Sequence, residues 1–349
     1  MSYNNSTVLI STTVSAKTLI DTLNLILTRF INYLPLPFVI LGSIGFIGNS
    51  ITFLQPTLRT NTCCIYTLCS SFIDVCNLII NLLPNYLGQY DISWFSRLFS
   101  RVQCKFKLFA VVFLPQLSIN LLLLSLIDRF ASTLDLTSSI RRICQRNKAP
   151  YFISLNIIIS GLMSLQSPIL NDVIPFYMCS STNPVLSSVL YSLIHGIAAP
   201  AVMLIFVLLT YRNVIRSRQR VGVIVVRKQN RSRNRFVGMI FVQIFGTAFF
   251  CLQWLGMYIY WSATQNNTKS YERIMVEIFV FILTNNLYYL NNVKSFYLST
   301  LVSHRFRKAF VEGMMRGVTC GRYRRREENH TNFSMSNKIR GDRKARLPS

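Results

Sequence analysis

The chain has 349 residues, 51% of them hydrophobic and only 14% charged, with a mean hydropathy of +0.37 and a formal net charge of +25. That balance is too apolar and too poor in charge for an ordinary soluble domain and points to a polytopic membrane protein. Nucleic-acid binding does not account for the excess charge, because the lysines and arginines gather between apolar runs without a zinc or helix-turn-helix signature.

Residues 1–30 are rich in Ser, Thr and Asn and read as an N-terminal tail, with overlapping glycosylation acceptors at Asn4 and Asn5. They lack the basic-then-apolar layout of a cleavable signal, so the first span is expected to act as an uncleaved anchor. Seven apolar stretches follow, at 31–54, 62–87, 104–130, 149–170, 186–211, 236–261 and 274–301. Each is long enough for a helix to cross roughly 30 Å of hydrocarbon at about 1.5 Å per residue. The third is the clearest, with twenty uncharged residues between Lys107 and Asp128. Cys104 precedes Arg129 by 25 residues, about 37 Å of helix, so the two belong at opposite faces of the bilayer.

The expected fold is therefore all-α, a seven-helix membrane bundle whose odd number of spans places the termini on opposite sides. If the N-terminus is outside, 28 of the 37 lysines and arginines fall inside, and without the C-terminal tail the count is still 15 inside against 8 outside. The positive-inside bias thus favours an external N-terminus and a cytoplasmic C-terminus at the plasma membrane. Asn266 then lies outside as a further glycosylation acceptor. After the last span, Phe306, Phe310 and Met314 recur at helical spacing against a basic face, predicting an interfacial amphipathic helix over 303–316. Cys320 beyond it is either a palmitoylation site or an ordinary free cysteine. The segment 317–349 is basic and poor in aliphatics, as expected of a disordered tail.

Few charges lie deep in the spans. Asp74 and Lys294 are the two, and an ionisable group at that depth is by default a functional candidate. His195 is the one histidine within a span. No His-Glu cluster, nucleophile motif or nucleotide loop is present, so the chain is not expected to be an enzyme. A transporter usually carries several midplane ionisable groups and repeated halves, which are not visible here; a transporter and a non-signalling decoy stand as alternatives.

Asp128-Arg129-Phe130 at the inner end of the third of seven spans, 25 residues after a cysteine, resembles the rhodopsin-like family of G-protein-coupled receptors over about residues 30–315. Within that family the chain is most like a divergent invertebrate peptide or chemosensory receptor. The resemblance implies that Asp128, Arg129 and Phe130 form the G-protein switch, with Asp128 holding the Arg129 guanidinium until activation. It implies a Cys104–Cys179 disulfide across the mouth of the bundle. It also implies a polar cavity of Asn49, Asp74, Ser118, Asn291 and Ser295 that binds a sodium ion, with Trp254 contributing from the sixth helix. The bland alternative is that Asp74 is protonated and hydrogen-bonded between helices. Val111, Phe250, Trp254 and Tyr289 correspond to the floor of the ligand pocket, and Pro200 to the fifth-helix proline that permits a bulge.

The departures from the family pattern are specific. Ser295-Phe296-Tyr297-Leu298-Ser299 replaces the seventh-helix Asn-Pro-x-x-Tyr motif, and Gly256 replaces the sixth-helix proline. Leu208 stands for the fifth-helix tyrosine, and no acid near Phe236 could lock Arg129. Val111 in place of a carboxylate argues against an amine ligand, and Tyr289 in place of a lysine argues against retinal. A peptide leads by elimination, helped by the outer acids Asp91, Asp172, Glu272 and Glu277, with a small odorant beside it. The implied partners are that extracellular ligand, a heterotrimeric G protein, arrestin and membrane lipids.

Overall fold

The computed structural model describes residues 4–56, 58–87, 101–134, 139–174, 178–220, 227–264 and 267–318; for 4–16, 85, 142–143, 173–174, 178–180, 214, 216–220, 227–240, 305 and 316–318 only the backbone is described. The fold is all-α, with seven helical segments long and apolar enough to cross a membrane: Lys17–Phe53, Thr62–Leu82, Arg101–Thr133, Arg146–Leu170, Pro184–Asn213, Phe241–Thr264 and Tyr271–Val302. The chain is thus a multi-pass membrane protein. Helices suit this solvent because each satisfies its own backbone hydrogen bonds where no water is present to do so.

Residue distribution follows the same logic. Ile44, Ile47, Phe72, Ile158, Leu162, Leu204, Phe245 and Phe249 are exposed on the periphery, whereas Asn49, Asp74, Asn77, Asn81, Ser118, Ser160 and Thr247 are buried. A soluble protein with such a surface would aggregate; a bilayer solvates it.

The region expected as a tail is helical in backbone: a helix runs Asn4–Arg29, and a 3₁₀ turn at Ile31–Tyr33 leads into Pro35–Phe53. Asn4 and Asn5 begin that first helix. The first span then lies close against the seventh because it presents Gly42, Gly45 and Gly48 on one stripe. A Cβ at Gly48 would come within 2.3 Å of the Phe296 ring, and one at Gly42 within 2.4 Å of Leu78. Small residues of this kind let backbones approach where apolar burial offers no gain over lipid.

Two spans change helical pitch just before a proline. The second runs through a π-helical stretch at Leu78–Leu82 ahead of Pro84, and the fifth through Ser192–Ala198 ahead of Pro200. A proline has no N–H for the carbonyl four residues earlier, so the preceding turn widens. The bulge expected at Pro200 is present, and the second span uses the same device.

Between the fourth and fifth spans lies an antiparallel hairpin, β1 (Asn171–Ile174) and β2 (Met178–Ser181), with Val173 opposite Cys179. Arg101, at the start of the third span, grips it through Asp172, with Nε donating to Oδ1 at 2.8 Å and to Oδ2 at 3.0 Å. At the opposite end the helix His304–Val318 is capped by Ser303, whose Oγ accepts the Phe306 amide at 3.2 Å. Its Phe306 packs edge-on against Phe53 and Phe296, and Phe310 against Phe296. The aromatic face of this helix is therefore covered by the first and seventh spans, while Met314 is exposed. Asn266, Cys320 and the tail from 319 onward, with their expected modifications and disorder, lie outside the described residues.

Candidate functional site

The third span carries three groups of polar contacts along its length. Nearest Cys104 is a cavity lined by Val111, Gln116, His195, Trp254, Leu255 and Tyr288, together with their neighbours. The widened turn of the fifth span places His195 there, its Nδ1 2.7 Å from Gln116 Oε1 and its Nε2 3.1 Å from Gln166 Nε2. Trp254 Nε1 donates to Tyr191 Oη at 3.2 Å, and the indole lies 5.1 Å from the Phe281 ring and 6.0 Å from Tyr288. Among the described residues the lining holds no formally charged lysine, arginine, aspartate or glutamate.

Of the expected floor, Val111 and Trp254 line this cavity, and Phe250 and Tyr289 do not. Phe250 faces an outward groove with Phe245 and Phe249, and Tyr289 is buried with Leu78, Leu82 and Val293. Cys251 and Tyr288, their sequence neighbours, take their places. One residue turns a helix by roughly 100°, enough to move a side chain from the pocket wall to a neighbouring interface.

The middle group surrounds Asp74, which is 4% exposed. Ser118 Oγ donates to Asp74 Oδ1 at 2.5 Å, and Ser70 Oγ lies 2.9 Å from Ser118 Oγ. The five residues expected to converge here do not all do so. Asn49 Nδ2 donates to Ser71 Oγ at 2.9 Å, and Ser295 takes part in a sixth-to-seventh contact with Gln243 Nε2 at 3.2 Å from its carbonyl. Trp254 belongs to the cavity above. Asn291 is engaged by Lys294, whose Nζ donates to the Asn291 carbonyl at 3.0 Å and also to its side-chain oxygen.

Lys294 is 9% exposed, and its ammonium shares the bundle interior with Asp74 without forming an ion pair within 4.0 Å. Its stem runs beside Gly246 of the sixth span, where a Cβ would stand 3.4 Å from Lys294 Cδ and Cε. These residues do not fit an exchangeable sodium ion. The oxygens that Asn291 would offer are bonded to an ammonium, and a second cation beside Asp74 would meet its repulsion in a low-dielectric interior.

At the far end, Arg129 Nη2 donates to Asn61 Oδ1 at 3.0 Å. Asn61 is also the N-cap of the second span, where its Oδ1 accepts the Cys63 amide at 3.3 Å. The Asp128 carboxylate lies near the Cys63 amide at the start of the second span. A carboxylate at a helix N-terminus is favoured by the helix dipole, so Asp128 and the cap together dock the third span on the start of the second. Ser125 extends the seam, its Oγ 2.8 Å from Cys63 Sγ and 3.1 Å from Thr67 Oγ1. Phe130 packs edge-on against Phe206 of the fifth span at 5.7 Å.

Cys104 is buried and disulfide-bonded. The backbone of Cys179 lies in β2, and its side chain is outside those described.

Asn61, Gln116, His195 and Lys294 carry contacts that the motif reading did not assign. Each left a trace: Asn61 is a capping residue just before an apolar run, while His195 and Lys294 are the single histidine and single lysine of the span interiors. No protein-family model matches the chain, and no curated protein matches it.

Proposed function

We propose that this chain is a divergent rhodopsin-like G-protein-coupled receptor of the plasma membrane, with its N-terminus outside and its C-terminus in the cytoplasm. It binds an extracellular ligand in the cavity of Val111, Gln116, His195 and Trp254 and activates a heterotrimeric G protein through Arg129. The observation that carries this reading is one helix, Arg101–Thr133, with a small uncharged cavity near one end and, at the other, an Asp-Arg-Phe triplet whose arginine is held by the cap of the second span. A ligand that repositions the third span against the fifth and sixth would bear on the Arg129–Asn61 contact, because Arg129 and the cavity residues Val111 and Gln116 lie on one helix.

Cys179 is the proposed partner of Cys104, holding the β1–β2 hairpin over the cavity. The oxidising outer face suits such a bond, and the chain performs no catalysis in this reading.

For the ligand, a peptide and a small molecule remain two readings, and one observation favours the second. Asp172 is neutralised by Arg101, and Glu277 by Lys269 and Arg273. Two of the acids that would attract a basic peptide are thus committed within the protein. The uncharged lining suits an aromatic or amide-bearing group that stacks on Trp254 and hydrogen-bonds to His195 or Gln116.

The test is a reporter cell line with a promiscuous G protein, screened against peptide and small-molecule libraries. A saturable response that Arg129→Ala abolishes, with surface expression retained, is the expected result. Signalling undiminished in Arg129→Ala would sink the assignment of the switch, and ion flux or solute uptake in proteoliposomes would favour a transporter.

A further inference from the structure

The middle of the bundle holds a carboxylate and an amine where the family resemblance implies a carboxylate and a diffusible ion. We propose that Lys294 is a built-in cation: its ammonium balances Asp74, stands in for sodium, and makes the packing of the second and seventh spans indifferent to sodium. This inference rests on the burial and hydrogen bonds of the two groups and not on any coupling to a G protein.

Asp74 and Lys294 are both buried, at 4% and 9% exposed, and they lie on the second and seventh spans. The Asp74 carboxylate takes a hydrogen bond from Ser118 of the third span, and the Lys294 ammonium bonds both oxygens of Asn291 one turn earlier on its own helix. The carboxylate and the ammonium therefore each have their own hydrogen-bond anchor; they are not in direct contact, and their opposite charges act on one another through the buried interior between the second and seventh spans.

The lysine is built to point inward. Its alkyl stem lines the apolar groove between the first, sixth and seventh spans, the absent side chain of Gly246 leaves room beside that stem, and the charged end reaches the polar interior. With one negative and one positive charge the site is already neutral. A sodium ion would leave a net positive charge in a medium that solvates it poorly. A tethered cation also cannot diffuse away, so no change in sodium concentration removes it.

The experiment is thermal unfolding of the purified full chain in detergent, read with a thiol-reactive fluorogenic dye. The buried free thiols Cys63, Cys64 and Cys251 report the transition without ligand or G protein. Sodium chloride is exchanged for choline chloride at constant ionic strength. The wild-type midpoint is expected to stay within about 1 °C across that exchange, since roughly 1 kcal/mol already moves it by a few degrees. Stabilisation of the wild type by sodium that disappears in Asp74→Asn would overturn the proposal, and this arm needs no Lys294 variant to fold.

In choline, Asp74→Asn and Lys294→Met are each expected to lower the midpoint, and the double variant to recover part of the summed loss. Strictly additive losses would equally overturn it. In Lys294→Asn, which restores an oxygen donor and removes the ammonium, sodium should raise the midpoint by several degrees. The gain should vanish when Asp74→Asn is added; a gain that survives that second change would place the ion elsewhere and count against the proposal.

Discussion

Asp74 and Glu277 are both buried carboxylates within membrane-crossing helices, at 4% and 5% exposed, yet they are neutralised in different ways. Glu277 sits near the start of the seventh span, at the Cys104 end. There it accepts Arg273 Nε at 2.9 Å and the Tyr260 hydroxyl at 2.8 Å and pairs with Lys269. Lys269 in turn lies over the Trp261 ring at 5.4 Å. Asp74 has one hydroxyl donor, and its facing ammonium is itself held by an amide.

The rim cluster is redundant and close to water, so losing one member leaves the others a partner. The midplane charges have no spare member, and removing either leaves the other with its hydrogen-bond anchor but no counter-charge. Similar chemistry at two depths thus serves two ends: the rim cluster fastens the sixth span to the seventh, and the inner pair makes the second span depend on the seventh.

Breaking the inner pair should have the largest effect. Lys294→Met is expected to destabilise the bundle in sodium-free buffer by about 3–5 kcal/mol, the usual consequence of leaving a buried charge without its partner, measured by thermal unfolding and by yield at the cell surface. Next comes the contact that shares the same helical framework without sharing a charge pair. Asn61→Ala removes a charge-assisted bond of about 1.5–3 kcal/mol from Arg129; under the proposed receptor function, ligand-independent nucleotide exchange should then rise by on the order of tenfold. Unchanged basal exchange would show that Asn61 does not restrain the arginine.

Gly48→Ala is a control that leaves every ion in place. Its Cβ would meet the Phe296 ring, and overpacking of this kind should lower stability by about 1–3 kcal/mol, read by the same unfolding assay. The smallest effect is expected for Glu277→Gln, a modest drop in unfolding midpoint that shrinks further in high salt because Arg273 is half exposed. If Glu277→Gln proved as damaging as Lys294→Met, redundancy at the rim would be the wrong explanation of the difference.

Much of the bundle was legible without coordinates. Each span announces itself through its own uninterrupted apolar run, and the third does so between Lys107 and Asp128. The pairing of Ser118 with Asp74 was also legible, through the family resemblance of the third span. The same resemblance set Phe250 and Tyr289 at the pocket floor, which they do not line. Spacing gives depth along an axis to within a turn but not the azimuth, and the widened turn before Pro200 and the stripe of Gly42, Gly45 and Gly48 alter how neighbouring helices face one another. Lys294 was visible as an anomaly, but its direction was not, because a four-carbon stem can carry its charge to either side of a helix.

The sequence by itself determined the seven crossings, the basic asymmetry of the loops and the depth of Asp74, Arg129 and Lys294 within them. These follow from hydrophobicity and rise per residue, which are properties of a segment taken alone. Only the tertiary structure decided that Lys294 buries its ammonium on Asn291, that Asn61 receives Arg129, and that His195 meets Gln116. Such partnerships depend on the rotation and tilt of one helix against another, and those are fixed by packing contacts between residues far apart in the chain.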